Sequence, residues 1–455
     1  MKSIIPYNPK DKKSILEHAK KLKGNTLNDF LALGEIDTSN KGGFGQILES
    51  GYFHLDNNSN PLPDFNEVGI ELKATPMRKL KKGTLSPKER LVLGIINYVE
   101  LAKQSFEESF LSKNQNLLII FYLYEEEKNP MDYKILDVVE WEFPPGDLEI
   151  IKKDWEKIKR MVECGKAHEI SGGMTFYLEA MPKGMGGGRD LRNQPYSTIP
   201  AMQRAFGLKS RYIRHIFESS KYHKLSRFSN DIESFLPITT SELKEKHIED
   251  IIEGRLSPFV GMTINEILKR MGTTLKGGKD KYASLVRTML GVKGRKIEEF
   301  EKAGITMRVV RSEYNGRLKE SVSTPYIRYD EIINESWESS TLYEIISSRF
   351  LFVILQKTKC NTELVFRGIV FWSMPEKDLD TVHKVWIDTV YKIRNGDYDN
   401  FIPISAKMVS HVRPHGRDSK DLTPGPDGAL YLKKCFWLNA NYIVNSILSP
   451  FFKEL

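Results

Sequence analysis

The stretch PDFNEVGIELK, Pro63 to Lys73, sets an acid, a short turn through Gly69 and then Glu-x-Lys in an alternating segment. Residues two apart in a strand share a face, so Glu71 and Lys73 project together while Ile70 and Leu72 face the other way. Asp64, ahead of the turn, can come alongside Glu71. Two carboxylates suit a hard, oxygen-seeking Mg2+, which keeps waters that it can acidify and present to a phosphate. A lysine next to them favours hydroxide and offsets the charge gathering on a phosphate in its transition state. Standing alone the pattern is weak. Glu-x-Lys occurs three times, at Glu71, Glu126 and Glu242, and such residues are commonly solvated charges or a strand-edge ion pair. Only the first follows an acid and a turn.

Outward from this segment the chain repeats itself. GNTLNDFL (Gly24 to Leu31) matches GMTINEIL (Gly261 to Leu268), and KGGFGQILE (Lys41 to Glu49) parallels KDKYASLVR (Lys279 to Arg287). FNEVGIELKATP (Phe65 to Pro76) parallels FEKAGITMRVVR (Phe300 to Arg311), and RAFGLKSRYI (Arg204 to Ile213) parallels KCFWLNANYI (Lys434 to Ile443). One such match is within chance; four in the same order, at offsets of 237, 238, 235 and 230 residues, predict a duplicated domain. The expected division is 1–225, a linker at 226–239, and 240–455. Within the first half, apolar spacing predicts helices over Ile15 to Leu22, Leu27 to Leu33, Phe44 to Glu49, Pro87 to Lys103 and Asp147 to Val162. Strands are predicted over Gly69 to Thr75 and Asn116 to Tyr124, giving a mixed α/β domain with a central sheet.

The second copy departs where the chemistry lies. Glu299 aligns with Asp64, Thr306 with Glu71, Arg308 with Lys73 and Arg287 with Glu49, whereas Gly304 matches Gly69. Acids needed for folding alone would be kept in both copies. One active and one inactive copy is the simplest account.

Composition narrows the class. With 40% hydrophobic and 28% charged residues, the 455-residue chain has globular composition and length for more than one core. Its start, MKSIIPYNPKDKK, has no signal-peptide pattern, and the longest apolar run, Leu117 to Tyr124, is far short of a membrane span. The reading predicts a soluble cytoplasmic protein with no membrane partner. Three separated cysteines, without a C-x-x-C pair, suggest neither a disulfide framework nor a zinc knuckle. GTTLKGGKD and MGGGRD lack the spacing of phosphate-binding loops, so no nucleotide cofactor is expected. A net charge of +8 favours a polyanionic partner. From Met181 to Arg214 seven basic residues face one acid, with Tyr196, Phe206 and Tyr212 between them, a phosphate-contacting pattern or a solvated face.

KGGFGQILE, PDFNEVGIELKATP, MPKG and RAFGLKSRYI together resemble the MutH family of GATC endonucleases, and in particular its two-domain type II restriction enzymes of the Sau type. The similarity runs along the chain through KERLVLGIINY (Lys88 to Tyr98), LRNQPYS (Leu191 to Ser197) and HVRPH (His411 to His415). The resemblance implies two tandem PD-(D/E)xK domains. It implies Asp64 and Glu71 as Mg2+ ligands, Lys73 as the catalytic lysine and Glu49 as an added carboxylate. The implied reaction is hydrolysis of both strands of double-stranded DNA 5′ to the G of GATC. Lys183, Arg189, Arg192, Arg204, Lys209 and Arg211 are the expected DNA contacts of the first half, and Arg413 and His415 those of the second. The second half is implied to bind another site as an effector. Double-strand cutting with one centre per chain requires a dimer on DNA or two sequential nicks. Mismatch-repair members carry Arg-Pro-Lys where this chain has Met181-Pro182-Lys183, and an aromatic residue at Gly207; the second half has Arg413-Pro414-His415 and Trp437. Two rival readings are a partner-activated nicking enzyme of mismatch repair, which the duplication disfavours, and a DNA-binding regulator without catalysis.

Overall fold

The computed structural model describes residues 5–31, 43–56, 62–79, 83–184, 190–222, 233–275, 277–278, 280–318, 321–337, 340–360 and 363–451. The chain divides into two compact units. One is Met1–Asn230 with Ile238–His247 and Glu301–Gly304; the other is Asp231–Pro237 with Ile248–Phe300 and Ile305–Leu455. Two short segments of later sequence therefore belong to the first unit, which the contiguous division at 226–239 did not anticipate. Among the described residues no helix is long and apolar enough to cross a membrane.

The strands of the first unit are β1 (Ile70–Lys79), β2 (Leu85–Pro87), β3 (Leu91–Ile95), β4 (Asn116–Leu123), β5 (Ile135–Glu142), β6 (Leu178–Pro182), β7 (Leu191–Gln194), β8 (Ser197–Met202) and β9 (Arg204–Leu208). The main sheet runs β2-β1-β4-β5, with β1 parallel to β4 and the other pairs antiparallel. Leu117 to Phe121 are wholly buried, as a strand with neighbours on both edges and cover on both faces requires. A second sheet runs β3-β9-β6, and β7 with β8 forms a hairpin. Helix Pro145–Glu163 starts with proline in its first turn, followed by Asp147 at the positive end of the helix dipole. It buries Ile150, Ile151, Trp155, Ile158 and Val162 along one face.

The helix expected over Pro87 to Lys103 is instead strand β3 followed by the short helix Tyr98–Leu101. Leu91 and Leu93 alternate into the core, and the strand pairs with β9 from Leu91 to Ile95 around a bulge at Leu93, so a period of two prevails where helical spacing had been read. Leu27 to Leu33 begins as a single 3-10 turn, Leu27–Asp29, and its last two residues lie outside the described ones.

In the second unit, β10 (Glu233–Ser234) and β11 (Lys296–Ile297) form a short parallel pair. Then follow β12 (Thr306–Ser312), β13 (Val322–Tyr326), β14 (Arg349–Lys357), β15 (Leu364–Ser373), β16 (Ser410–Pro414), β17 (Leu422–Pro424), β18 (Leu430–Leu432) and β19 (Lys434–Leu438). The order β12-β14-β15, parallel then antiparallel, repeats β1-β4-β5; β13-β19-β16 repeats β3-β9-β6, and the β17–β18 hairpin repeats β7–β8. Helix Glu376–Arg394 has the 19 residues of its counterpart. The repetition reaches single residues. Thr26 and Thr263 both close capping boxes, with Asp29 and Glu266. Gly24 and Gly261, at φ 86° and 85°, donate their N–H to Ile135 O (2.9 Å) and Phe366 O (2.8 Å).

Candidate active site

The 3-10 turn Asn66–Val68 ends on Gly69 at φ 65°, a left-handed conformation suited to glycine. Gly304 takes φ 67° at the matching place. The turn lets Phe65 and Ile70 exchange backbone hydrogen bonds of 2.9 and 3.3 Å, folding Asp64 back onto β1. Asp64 N–H donates to Glu71 Oε2 at 3.1 Å, and Leu72 N–H donates to Asp64 Oδ2 at 2.9 Å. Glu71 is 1% exposed, and Lys73 Nζ lies 2.5 Å from its Oε1. The three residues expected from the motif therefore form one hydrogen-bonded cluster.

A fourth member has no sequence motif. Lys113, on the short helix Ser112–Asn114, places Nζ 3.4 Å from Glu71 Oε1. Only packing of that helix against β1 brings it there. Glu49 lies half-buried on the π-helical turn Leu48–Tyr52. Burial raises its pKa, and the Asp64 charge raises it further against the pull of Lys73. Burial likewise raises Glu71, with Lys73 opposing and Asp64 reinforcing the shift. Carboxylates that repel one another in a shielded place are relieved by a cation.

Among the described residues no three His, Cys, Asp or Glu side chains converge as a ready metal cluster. Asp64 and Glu71 nevertheless fit a hard divalent cation. They offer oxygen donors alone, and Mg2+ is commonly held by one or two carboxylates with water completing its shell.

The expected DNA contacts separate into groups. Arg204 is 2% exposed and donates from Nη1 to Ala180 O at 2.9 Å, so it is a core residue and not a surface contact. Its counterpart Lys434 is also buried and donates to Tyr398 O. Both copies keep an inward cation, as a scaffold role requires. Lys209 is half-buried and turns its ammonium onto Thr175 O. Arg192 and Arg211 are exposed, and Lys183 is half-buried where β6 ends. Arg189 lies outside the described residues. In the second unit the Arg413 guanidinium lies 4.0 Å over the Trp437 ring, and His415 meets the same ring edge-on at 4.8 Å. At the matching place of the first unit a side chain on Gly207 would collide with Met181 Sδ.

The family model described as DNA mismatch repair enzyme MutH matches residues 53–154, a span that includes Asp64, Glu71, Lys73 and Lys113. The DNA mismatch repair proteins MutH of Shewanella woodyi and of Shewanella sp. strain W3-18-1 are 25% and 26% identical to this chain. Those alignments cover 39% and 40% of this chain and 78% and 82% of the relatives. Type II restriction enzyme Sau3AI of Staphylococcus aureus is 35% identical over 94% of this chain and 92% of its own length. With that likeness along both units and a MutH-like domain around the carboxylate cluster, the chain belongs to the family of type II restriction endonucleases related to Sau3AI.

Proposed function

We propose that this chain is a Mg2+-dependent endonuclease that cleaves both strands of duplex DNA at GATC, before the G, leaving 5′-phosphates. The observation that carries the reading is the single hydrogen-bonded cluster of Asp64, Glu71 and Lys73 on β1. Asp64 and Glu71 are the residues to hold the cation, with Glu49 beside them. A bound divalent cation makes a water more acidic and offsets negative charge at a phosphate. Lys73 supplies a fixed positive charge toward the reacting phosphate, and Lys113 helps hold the Glu71 carboxylate in place. Lys183, Arg192 and Arg211 are the first-unit residues left facing solvent for DNA. The second unit, with Thr306 at the Glu71 position, binds a further duplex without cutting it. Two chains on one site, or two successive nicks, complete the double-strand break. Restriction is favoured over partner-activated nicking because the repair proteins align with only about two-fifths of the chain.

The test is digestion of a supercoiled plasmid by the purified protein with Mg2+ and no partner. Linear product whose sequenced ends begin with GATC is expected; persistent nicked circles would favour the repair-type reading. Glu71→Ala should lower cleavage by about 10²-fold or more and leave duplex binding intact. Unchanged cleavage in that variant would remove the site assignment.

A further inference from the structure

On β1, Glu71 and Lys73 alternate on one face; on β12 the same two places carry Thr306 and Arg308. The surroundings change sign with them. Glu299, at the Asp64 position, is turned to the backbone, accepting Leu236 N–H at 3.1 Å on each oxygen. The Glu49 position is Arg287, on helix Lys281–Met289, which packs against β12. Its partner Asp280, 2.7 Å away, is a surface acid 71% exposed, a pairing that holds the arginine only weakly.

Arg308 is the unusual group. Among the described residues it has no ion pair and no hydrogen-bond partner; the residue is half-buried, with its Nε shut off from solvent. Burial draws its pKa below the ordinary guanidinium value, with no carboxylate acting against the shift. A partly shielded, unpaired cation is unfavourable, and folded proteins normally pair such charges. The group that satisfies a planar guanidinium best is a bidentate oxyanion such as a phosphate.

We propose that the second unit seats a backbone phosphate of DNA on Arg308, with Arg287 adding charge, at the place where the first unit gathers carboxylates for a cation. Guanidinium charge takes over the cation's neutralising role, so this seat needs no metal. The proposal rests on the reading that the second unit binds duplex DNA, and gives that binding its anchoring residue.

The experiment titrates the full-length Glu71→Ala chain with a GATC duplex, in Mg2+ and in EDTA, counting duplexes bound per chain. Two are expected in Mg2+. One binding event, present in both buffers, should weaken about thirtyfold or more when Arg308→Met is added, the loss typical of removing one member of a buried charge pair. The melting temperature of the double variant should hold level or rise, because an unpaired, partly shielded charge has gone. Arg308→Lys should retain part of the binding. One duplex per chain in Mg2+ would overturn this proposal together with the second-site reading. Two duplexes bound with undiminished affinity after Arg308→Met would overturn the phosphate seat alone. A weakened second duplex with a lower melting temperature would make Arg308 a packing residue, and a second event absent in EDTA would return a metal to the seat; either overturns the proposal.

Discussion

Glu71 is held by two lysines, and the one without a motif offers the more informative experiment. Lys113 meets the same Oε1 as Lys73, at 3.4 Å against 2.5 Å. Lys113→Ala should slow cleavage about tenfold, equal to about 1.4 kcal/mol in the barrier, with KM for duplex nearly unchanged. An effect on KM alone would make Lys113 a DNA contact. Arg204 tests the opposite case. Its buried guanidinium and bond to Ala180 O predict that Arg204→Ala costs about 2–3 kcal/mol of stability. That corresponds to a melting point lower by roughly 4–12 °C for a unit of this size, with an unaltered salt dependence of DNA binding. A shallower salt slope at unchanged stability would restore it to the DNA surface.

Among the elements, β16 carries a built-in acid sensitivity. His411 is 1% exposed, neither ring nitrogen has a partner among the described residues, and burial with the neighbouring Arg413 charge lowers its pKa to about 4. The unfolded chain takes up a proton below the ordinary value of 6.5, whereas the folded chain does so only near 4. The contribution of His411 is therefore fully present above pH 6.5 and is lost as pH falls toward 4. Urea unfolding followed by hydrogen exchange over 410–414 should show the second unit weakening across that window, by on the order of 1–3 kcal/mol. His411→Gln should flatten the slope; an equal slope in the variant would assign it to other groups. Glu179, at the matching place in β6, is instead paired with Arg90 at 3.0 Å.

For the whole molecule, duplication with one carboxylate cluster among the described residues predicts, on the proposed function, coupling between the unit that cuts and the unit that binds. A plasmid with two GATC sites should be cleaved at least about fivefold faster than a one-site plasmid, within the usual range of coupling between two sites. A short duplex added in trans should restore the rate on the one-site plasmid. Equal rates on both plasmids, with no response in trans, would leave the second unit a structural role.

Much of this was legible in the sequence because it depends on local periodicity. Alternation put Glu71 and Lys73 on one face, Gly69 marked a turn that needs positive φ, and the repeat exposed Thr306 in place of Glu71. Short-range rules also found the cores of β1 and β4 and helix Pro145–Glu163, since strand alternation and helix starts are properties of neighbouring residues. The same rules misread Leu91–Ile95, where pairing with β9, a distant segment, decided between helix and strand. They also took Arg204 for a surface cation, because charge is visible in a sequence and burial is not. Tertiary structure alone brought Lys113 to Glu71 and left Arg308 half-buried, with no counter-charge among the described residues. Both depend on contacts between segments far apart in the chain, and no pattern within a single segment encodes them.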